Sequence, residues 1–273
     1  MNAEIFTHEF LQNALIASLL ASIVCGIIGV IIVERKMVMI GGGIAHTAYG
    51  GVGLGYLVGF PPMLGAFLVA ILAAFGIGFT KRREKVQTDV MIALFWSLGM
   101  ALGIVFIGLV PGYPPNMNSY LFGNILSVTR TELLLMLGLT VLVVFVVVIL
   151  FQDLKAFMFD VQFAVIRGIQ TTFLEYLLLV LIAITVVVLI RVAGIILVIA
   201  LLAAPAASAS FLSHNLIKRM ILATIFGIAF CWAGLMMSYH LNIESGAFIV
   251  ILAVVCYAVL YAKTLLKKNH KNN

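Results

Sequence analysis

Residues 173–212 read FLEYLLLVLIAITVVVLI-R-VAGIILVIALLAAPAASASFL, a run carrying only two charges, Glu175 and Arg191. A helix rises 1.5 Å per residue, so about twenty such residues cross roughly 30 Å of membrane hydrocarbon. The run is therefore too long for one crossing. It reads as two, 173–190 and 192–212, separated by little more than Arg191, which predicts a tight helical hairpin. Working outward, seven further apolar stretches have similar length: 13–33, 42–59, 63–79, 90–110, 132–151, 219–239 and 245–262. The expectation is an all-α, polytopic membrane bundle of nine transmembrane helices, or eight if the second or third stretch inserts only partly. The connections are too short for another folding unit, so residues 1–273 form a single transmembrane domain.

Threading the spans alternately places all but two of the sixteen Lys and Arg residues on one face. The exceptions are Arg130 and Arg191. Positive charge in short loops stays cytoplasmic, so the chain is expected to run N-out and C-in. Residues 1–12 carry Glu4 and Glu9 but no Lys or Arg, the wrong charge for a signal-peptide start, and the first span is expected to be retained.

Composition agrees: 64% of residues are hydrophobic, 10% are charged and the mean hydropathy is +1.24. A chain this apolar cannot cover its surface as a soluble globule. The net charge of +6 and pI near 9.3 raise nucleic acid as a partner. The basic residues are scattered over loops and tail without a contiguous patch, which excludes it and leaves the lipid bilayer, or an acidic cytoplasmic protein, as the electrostatic partner. Cys25, Cys231 and Cys256 each fall inside a span and read as free thiols.

Three connections exceed a tight turn. Residues 80–89 form a basic cytoplasmic hairpin. Residues 111–131 form the sizeable outer loop, opening on Pro111, Pro114 and Pro115. Residues 152–172 are amphipathic: Phe159, Phe163, Ile166 and Ile169 recur at helical spacing, with Asp160, Gln162 and Arg167 elsewhere on the wheel. A short helix near 157–169, lying along the cytoplasmic face, fits this pattern. Small residues also cluster. Gly51, Gly55 and Gly59 are four apart in the second span, as are Gly99 and Gly103 in the fourth, a spacing that lets helix backbones approach closely. The seventh span holds Ala203-Ala-Pro-Ala-Ala-Ser-Ala-Ser210, where Pro205 is expected to kink a helix that either packs tightly or lines a passage.

His46 is the one histidine deep in a span. Its neighbours four residues away are Gly42 and Gly50, which on this helix alone leaves open space beside the imidazole. One reading is a metal or proton site, since imidazole binds late divalent metals and intramembrane ionisable groups default to function. The other is a packed histidine bonded to a nearby Ser or Thr. His240 and Glu244, four apart at the outer end of the eighth span, either flank an entrance or are solvated ends. His214 is interfacial, and His8 and His270 lie in tails. Catalytic patterns are missing: there is no Gly-x-x-x-x-Gly-Lys-Ser/Thr phosphate loop and no His-Glu-x-x-His.

Several segments together resemble a known family. Val192-Ala-Gly-Ile-Ile-Leu-Val-Ile-Ala-Leu-Leu-Ala-Ala-Pro-Ala-Ala-Ser-Ala209 is similar to its Gly-x-Leu-Leu-Val…Pro-Ala-Ala-x-Ala segment. Asp160, Ala164 and Gly168 match its cytoplasmic Asp-x-x-x-Ala-x-x-x-Gly element, and Leu121-Phe-Gly-Asn-Ile-Leu126 its Phe-Gly-Asp-Ile-Leu. Asp89–Gly103 and Ser245–Val250 match its fourth and last spans. The chain resembles the permease subunits of metal-type ABC importers, the ABC-3 group that moves zinc, manganese or iron.

The resemblance implies a homodimer working with a separate ATP-binding cassette ATPase, which carries ATP and magnesium, and an extracytoplasmic metal-binding receptor. It assigns ATPase coupling to Asp160, Ala164 and Gly168, and the translocated divalent metal to the region of His46. Departures are local. The family's Asp-x-x-x-His appears as Gly42 and His46, its second acid as Asn124, and the acid before the last span as Asn242, with Glu244 two residues on. Losing carboxylates weakens a manganese reading more than a zinc one. The alternative function is a stand-alone secondary transporter or channel using His46 as a relay.

Overall fold

The computed structural model describes residues 9–82, 87–112, 118–123, 125–241 and 244–272, without the side chains of 118, 119 and 268–272. Asn124, Asn242, His8, the His270 side chain, and Arg83 and Lys85 of the basic hairpin therefore lie outside the described residues. Every regular element among those described is helical: α1 (Glu9–Glu34), α2 (Val38–Val58), α3 (Pro62–Lys81), α4 (Thr88–Gly108), α5 (Asn118–Phe122), a 3-10 turn (Ile125–Ser127), α6 (Arg130–Ile149), α7 (Phe151–Phe159), α8 (Val161–Ile166), α9 (Thr171–Ser210), α10 (Leu216–Leu241) and α11 (Ser245–Asn272).

Seven of these are long and apolar enough to cross a membrane by length and composition: α1, α3, α4, α6, α9, α10 and α11 through Lys267. α2 is of similar length, but its glycines, His46 and Thr47 make it less apolar. It is instead one of the best-covered elements, buried along most of its length between α3, α4 and α9. α1 and α9 form the centre, with 72% and 67% of their most apolar windows buried. α4 and α11, at 17% and 22%, expose leucine, isoleucine and valine outward.

α9 contains one residue with non-helical backbone angles, Gly194 (φ 76°, ψ 161°). Its contacts trace a reversal there. Near its start, Glu175 pairs with Lys81 at the end of α3. At Gly194 it meets Gly123 beside α5, and at its end Phe211 packs on Tyr257 and Tyr261, far along α11. The hairpin expected around Arg191 is thus present but turns three residues later, where a residue without Cβ allows a positive φ. Pro205 stays inside the second leg with helical backbone angles.

Local chemistry sets the ends of other helices. Pro61 and Pro62 open α3. Thr129 and Glu132 form a capping box on α6: Glu132 N donates to Thr129 Oγ1, and Thr129 N donates to Glu132 Oε2 at 2.8 Å. The other carboxylate oxygen of Glu132 accepts from Arg191 Nε at 2.7 Å, tying the hairpin tip to α6. Beside it, Tyr120 OH lies 3.5 Å from Arg191 Nη1 and 3.4 Å from Tyr56 OH.

The glycine stripe of α2 divides by role. Cβ atoms added to Gly51 and Gly55 would strike the backbone of Gly65 and Pro62, so these two admit α3 at contact distance. Gly59 has open space around it and φ +85°; it is the left-handed C-cap of α2, donating its N–H to Gly55 O. The four-residue spacing expected to form one stripe ends in a cap because the same spacing serves both purposes. Cys25, Cys231 and Cys256 are free thiols, as expected.

Candidate functional site

His46 sits in the middle of α2 and is the one half-buried residue in a buried stretch from Ile40 to Gly53. Its surroundings come from α4. Trp96 stacks on the imidazole, with centroids 4.0 Å apart and planes 15° from parallel. Met100, one turn further on, places its sulfur 2.9 Å from His46 Nδ1. Both partners are fixed by close backbone contact between the two helices. A Cβ at Gly50 would lie 2.6 Å from Gly99 O, and one at Gly53 would lie 2.7 Å from Gly103 O. Thr47 Oγ1 adds an interhelical reach to Phe95 O at 3.1 Å, beside its own-helix bond to Gly43 O at 2.7 Å.

The open space expected beside His46 is therefore occupied. A Cβ at Gly42 would lie 3.2 Å from Trp96 Cζ3 and 3.7 Å from Ile199 Cδ1 of α9. Counting along one helix sees the missing side chains of Gly42 and Gly50 but not the bulk a second helix inserts there. The alternative of a Ser or Thr partner is also unmet: the imidazole's polar neighbour among the described residues is a thioether.

The second leg of α9 meets α2 at this point. Ile196, Ala200, Ala203 and Ala207 follow helical spacing and are partly open, whereas Pro205, Ala206, Ser208 and Ala209 are buried on the opposite side. The small-residue run thus has one covered face and one partly open face of little bulk. Ser208 Oγ and Thr185 Oγ1 are buried without hydrogen-bond partners among the described residues.

His240 and Glu244 are not brought to this place. His240 is exposed at the end of α10, edge-on to Tyr239, and Glu244 is exposed just before α11. Among the described residues no three His, Cys, Asp or Glu side chains gather into a metal-binding group. An apolar groove of about 590 Å³ between α1, α6 and α10, lined by Ile27, Val147, Phe151 and Met220, involves none of the His46 neighbours.

The 160–168 element is a capped helix, and each motif residue has a physical task. Asp160 (φ −152°, ψ 114°) is the N-cap of α8, its Oδ1 accepting from Gln162 N at 2.8 Å and Phe163 N at 3.1 Å. Ala164 is fully buried against the bundle. Gly168 ends the helix at φ +76°, donating to Val165 O, while Ile169 N donates to Ala164 O. The expected single helix near 157–169 is two pieces broken at Asp160. α7 continues α6 and buries Leu154, Phe157 and Met158, with Arg35 over the Phe157 ring at 4.2 Å. Phe159, the last residue of α7, and Phe163 and Ile166 of α8 are held outward, 65%, 51% and 83% exposed.

Sequence reading did not find Trp96, Met100, the Glu132–Arg191–Tyr120–Tyr56 chain, or the Lys81–Glu175 pair. Each pairs residues on different helices, and no spacing within one helix signals that.

The comparisons with known proteins concern nearly the whole chain. A family model described as the ABC 3 transport family matches residues 7–264. An uncharacterized membrane protein of Synechocystis is 43% identical over 255 residues, covering 93% of this chain and 91% of its own. A manganese transport system membrane protein of Halalkalibacterium halodurans is 33% identical over 258 residues, covering 94% and 88%. Among solved structures, PsaBC from Streptococcus pneumoniae in complex with Fab aligns with a TM-score of 0.83 at 32% identity, covering 93% and 91%. The chain belongs to the ABC 3 transport family.

Proposed function

We propose that this multi-pass protein of the cell membrane is the permease subunit of an ATP-binding cassette importer for a divalent transition metal. It works as a homodimer, with two ATPase subunits docked on its cytoplasmic face and a metal-binding receptor delivering cargo outside. Family membership and the manganese transport relative support the reading. The observation that carries it is the end of α7 and α8: a capped helix seated on the bundle by Ala164, where Phe159, Phe163 and Ile166 stand exposed though a solitary membrane protein would gain nothing from exposing them. A groove on an ATPase would bury that face. ATP and magnesium belong to the ATPase, since this chain has no phosphate loop.

In this reading the chain crosses the membrane nine times, N-out and C-in, with α2 and each leg of α9 counting as crossings. The distribution of Lys and Arg supports that orientation. His46 borders the passage together with the small face of α9, and Asp160, Ala164 and Gly168 transmit ATPase closure.

Reconstitution in liposomes with the ATPase tests the proposal. Metal uptake should require ATP hydrolysis and ignore ionophores that collapse ion gradients. Uptake driven by a gradient and indifferent to ATP would assign the chain to the secondary transporters.

A further inference from the structure

Resting on that reading, we infer that Met100 is a specificity-determining ligand: the His46–Met100 pair selects late, thiophilic transition metals of the zinc end of the series and rejects manganese. Three observations carry this. First, Nδ1 of His46 and the sulfur of Met100 converge at 2.9 Å, on two helices locked by the Gly50–Gly99 and Gly53–Gly103 contacts. Two donors held this close can close on one ion with a small opening of the pair. Secondly, the polar contact of the imidazole is the Met100 sulfur. Among the described residues no three His, Cys, Asp or Glu side chains gather into a group, and Trp96 fills the space beside Gly42 from which a carboxylate one turn away would reach the imidazole. Thirdly, both donors are neutral and polarisable. Imidazole and thioether sulfur suit late metals, whereas manganese prefers hard oxygen ligands.

Electrostatics favours the same metals. A hard divalent ion entering apolar surroundings without a counter-charge keeps its full desolvation cost. Covalent donation from nitrogen and sulfur offsets part of that cost for a late metal and little of it for manganese. A site with only two protein donors also holds its ion weakly, leaving positions for water and allowing release.

The test uses the full chain in lipid nanodiscs, titrated with zinc(II) and manganese(II) by calorimetry while Trp emission is followed. The stacked Trp96 should report occupancy. The expected result is zinc binding, little or no manganese binding, and a loss of zinc affinity of about tenfold or more in Met100→Leu, which keeps volume but removes sulfur. Met100→Gln serves as a second variant if leucine disturbs the fold. Manganese binding as tight as zinc overturns the inference. So does a correctly folded Met100→Leu that binds zinc like the parent, or a parent that binds neither metal. Binding decides this question without transport: if the reconstituted complex moves no metal under ATP, the importer reading falls while the titration still judges the pair.

Discussion

Lys81 Nζ lies 2.6 Å from Glu175 Oε1, and this pair joins the last residue of α3 to the first turns of α9, immediately after the exposed α8. Arg82 adds a second contact to the same carboxylate at 3.7 Å and donates to Thr172. Any displacement of α8 reaches α9 through residues 167–170, and from α9 it reaches α3 through this carboxylate. α3 in turn packs on α2, the helix of His46.

Glu175→Gln should therefore weaken transmission more than folding. The pair is mostly covered, yet both cations can turn toward water, so the stability loss should be modest, about 1 kcal/mol. Uptake should fall several-fold while ATPase binding persists. Equal loss of docking and uptake would mean that the pair only holds the fold.

Gly168 tests backbone conformation apart from size. A Cβ there meets nothing within 4 Å, but φ is +76°. Gly168→Asn should be tolerated, whereas Gly168→Val should cost about 1–2 kcal/mol locally and disrupt the end of α8. Co-purification of the ATPase with each variant reads this directly. Similar loss with both substitutions would contradict it.

Gly194 and Gly123 approach each other so closely that a Cβ on either would overlap the other's backbone or its neighbour's. Gly194→Ala should destabilise the chain by roughly 3 kcal/mol or more through clash and strained φ together. Thermal unfolding in detergent should show a large drop. An unchanged midpoint would mean that the hairpin does not turn at this residue.

Burial pushes the Tyr120 phenol up to about 12, reinforced by the bond with Tyr56 and opposed by Arg191. Its ordinary value is near 10. A raised acid is harder to ionise when folded, so its stabilising contribution is complete below pH 10 and lost as pH rises toward 12. Alkaline unfolding followed by circular dichroism should show this loss, and Tyr120→Phe should flatten it. A variant that unfolds along the parent's pH curve would remove Tyr120 from the cause.

What the sequence revealed, and what it hid, divides along physical lines. Crossing segments are legible because hydrocarbon thickness fixes their length, and the 160–168 motif because cap chemistry is local to Asp160 and Gly168. The hairpin was legible as a pair of spans, but Arg191 marked its polar tip rather than its turn, since the turn needed the positive φ of Gly194. The surroundings of His46 were not legible. Gly42 appears empty on its own helix and is filled by Trp96 from another, and nothing in the spacing of α4 announces that Met100 faces an imidazole.

In the proposed importer His46 lies on the path of the transported metal. ATP-driven uptake of labelled zinc by the reconstituted complex, compared between the parent and His46→Ala, decides this. His46→Ala should assemble with the ATPase as the parent does and lose most of its uptake. Uptake at the parent's rate by a correctly assembled His46→Ala complex would contradict the claim and leave His46 a packed side chain between Trp96 and Met100.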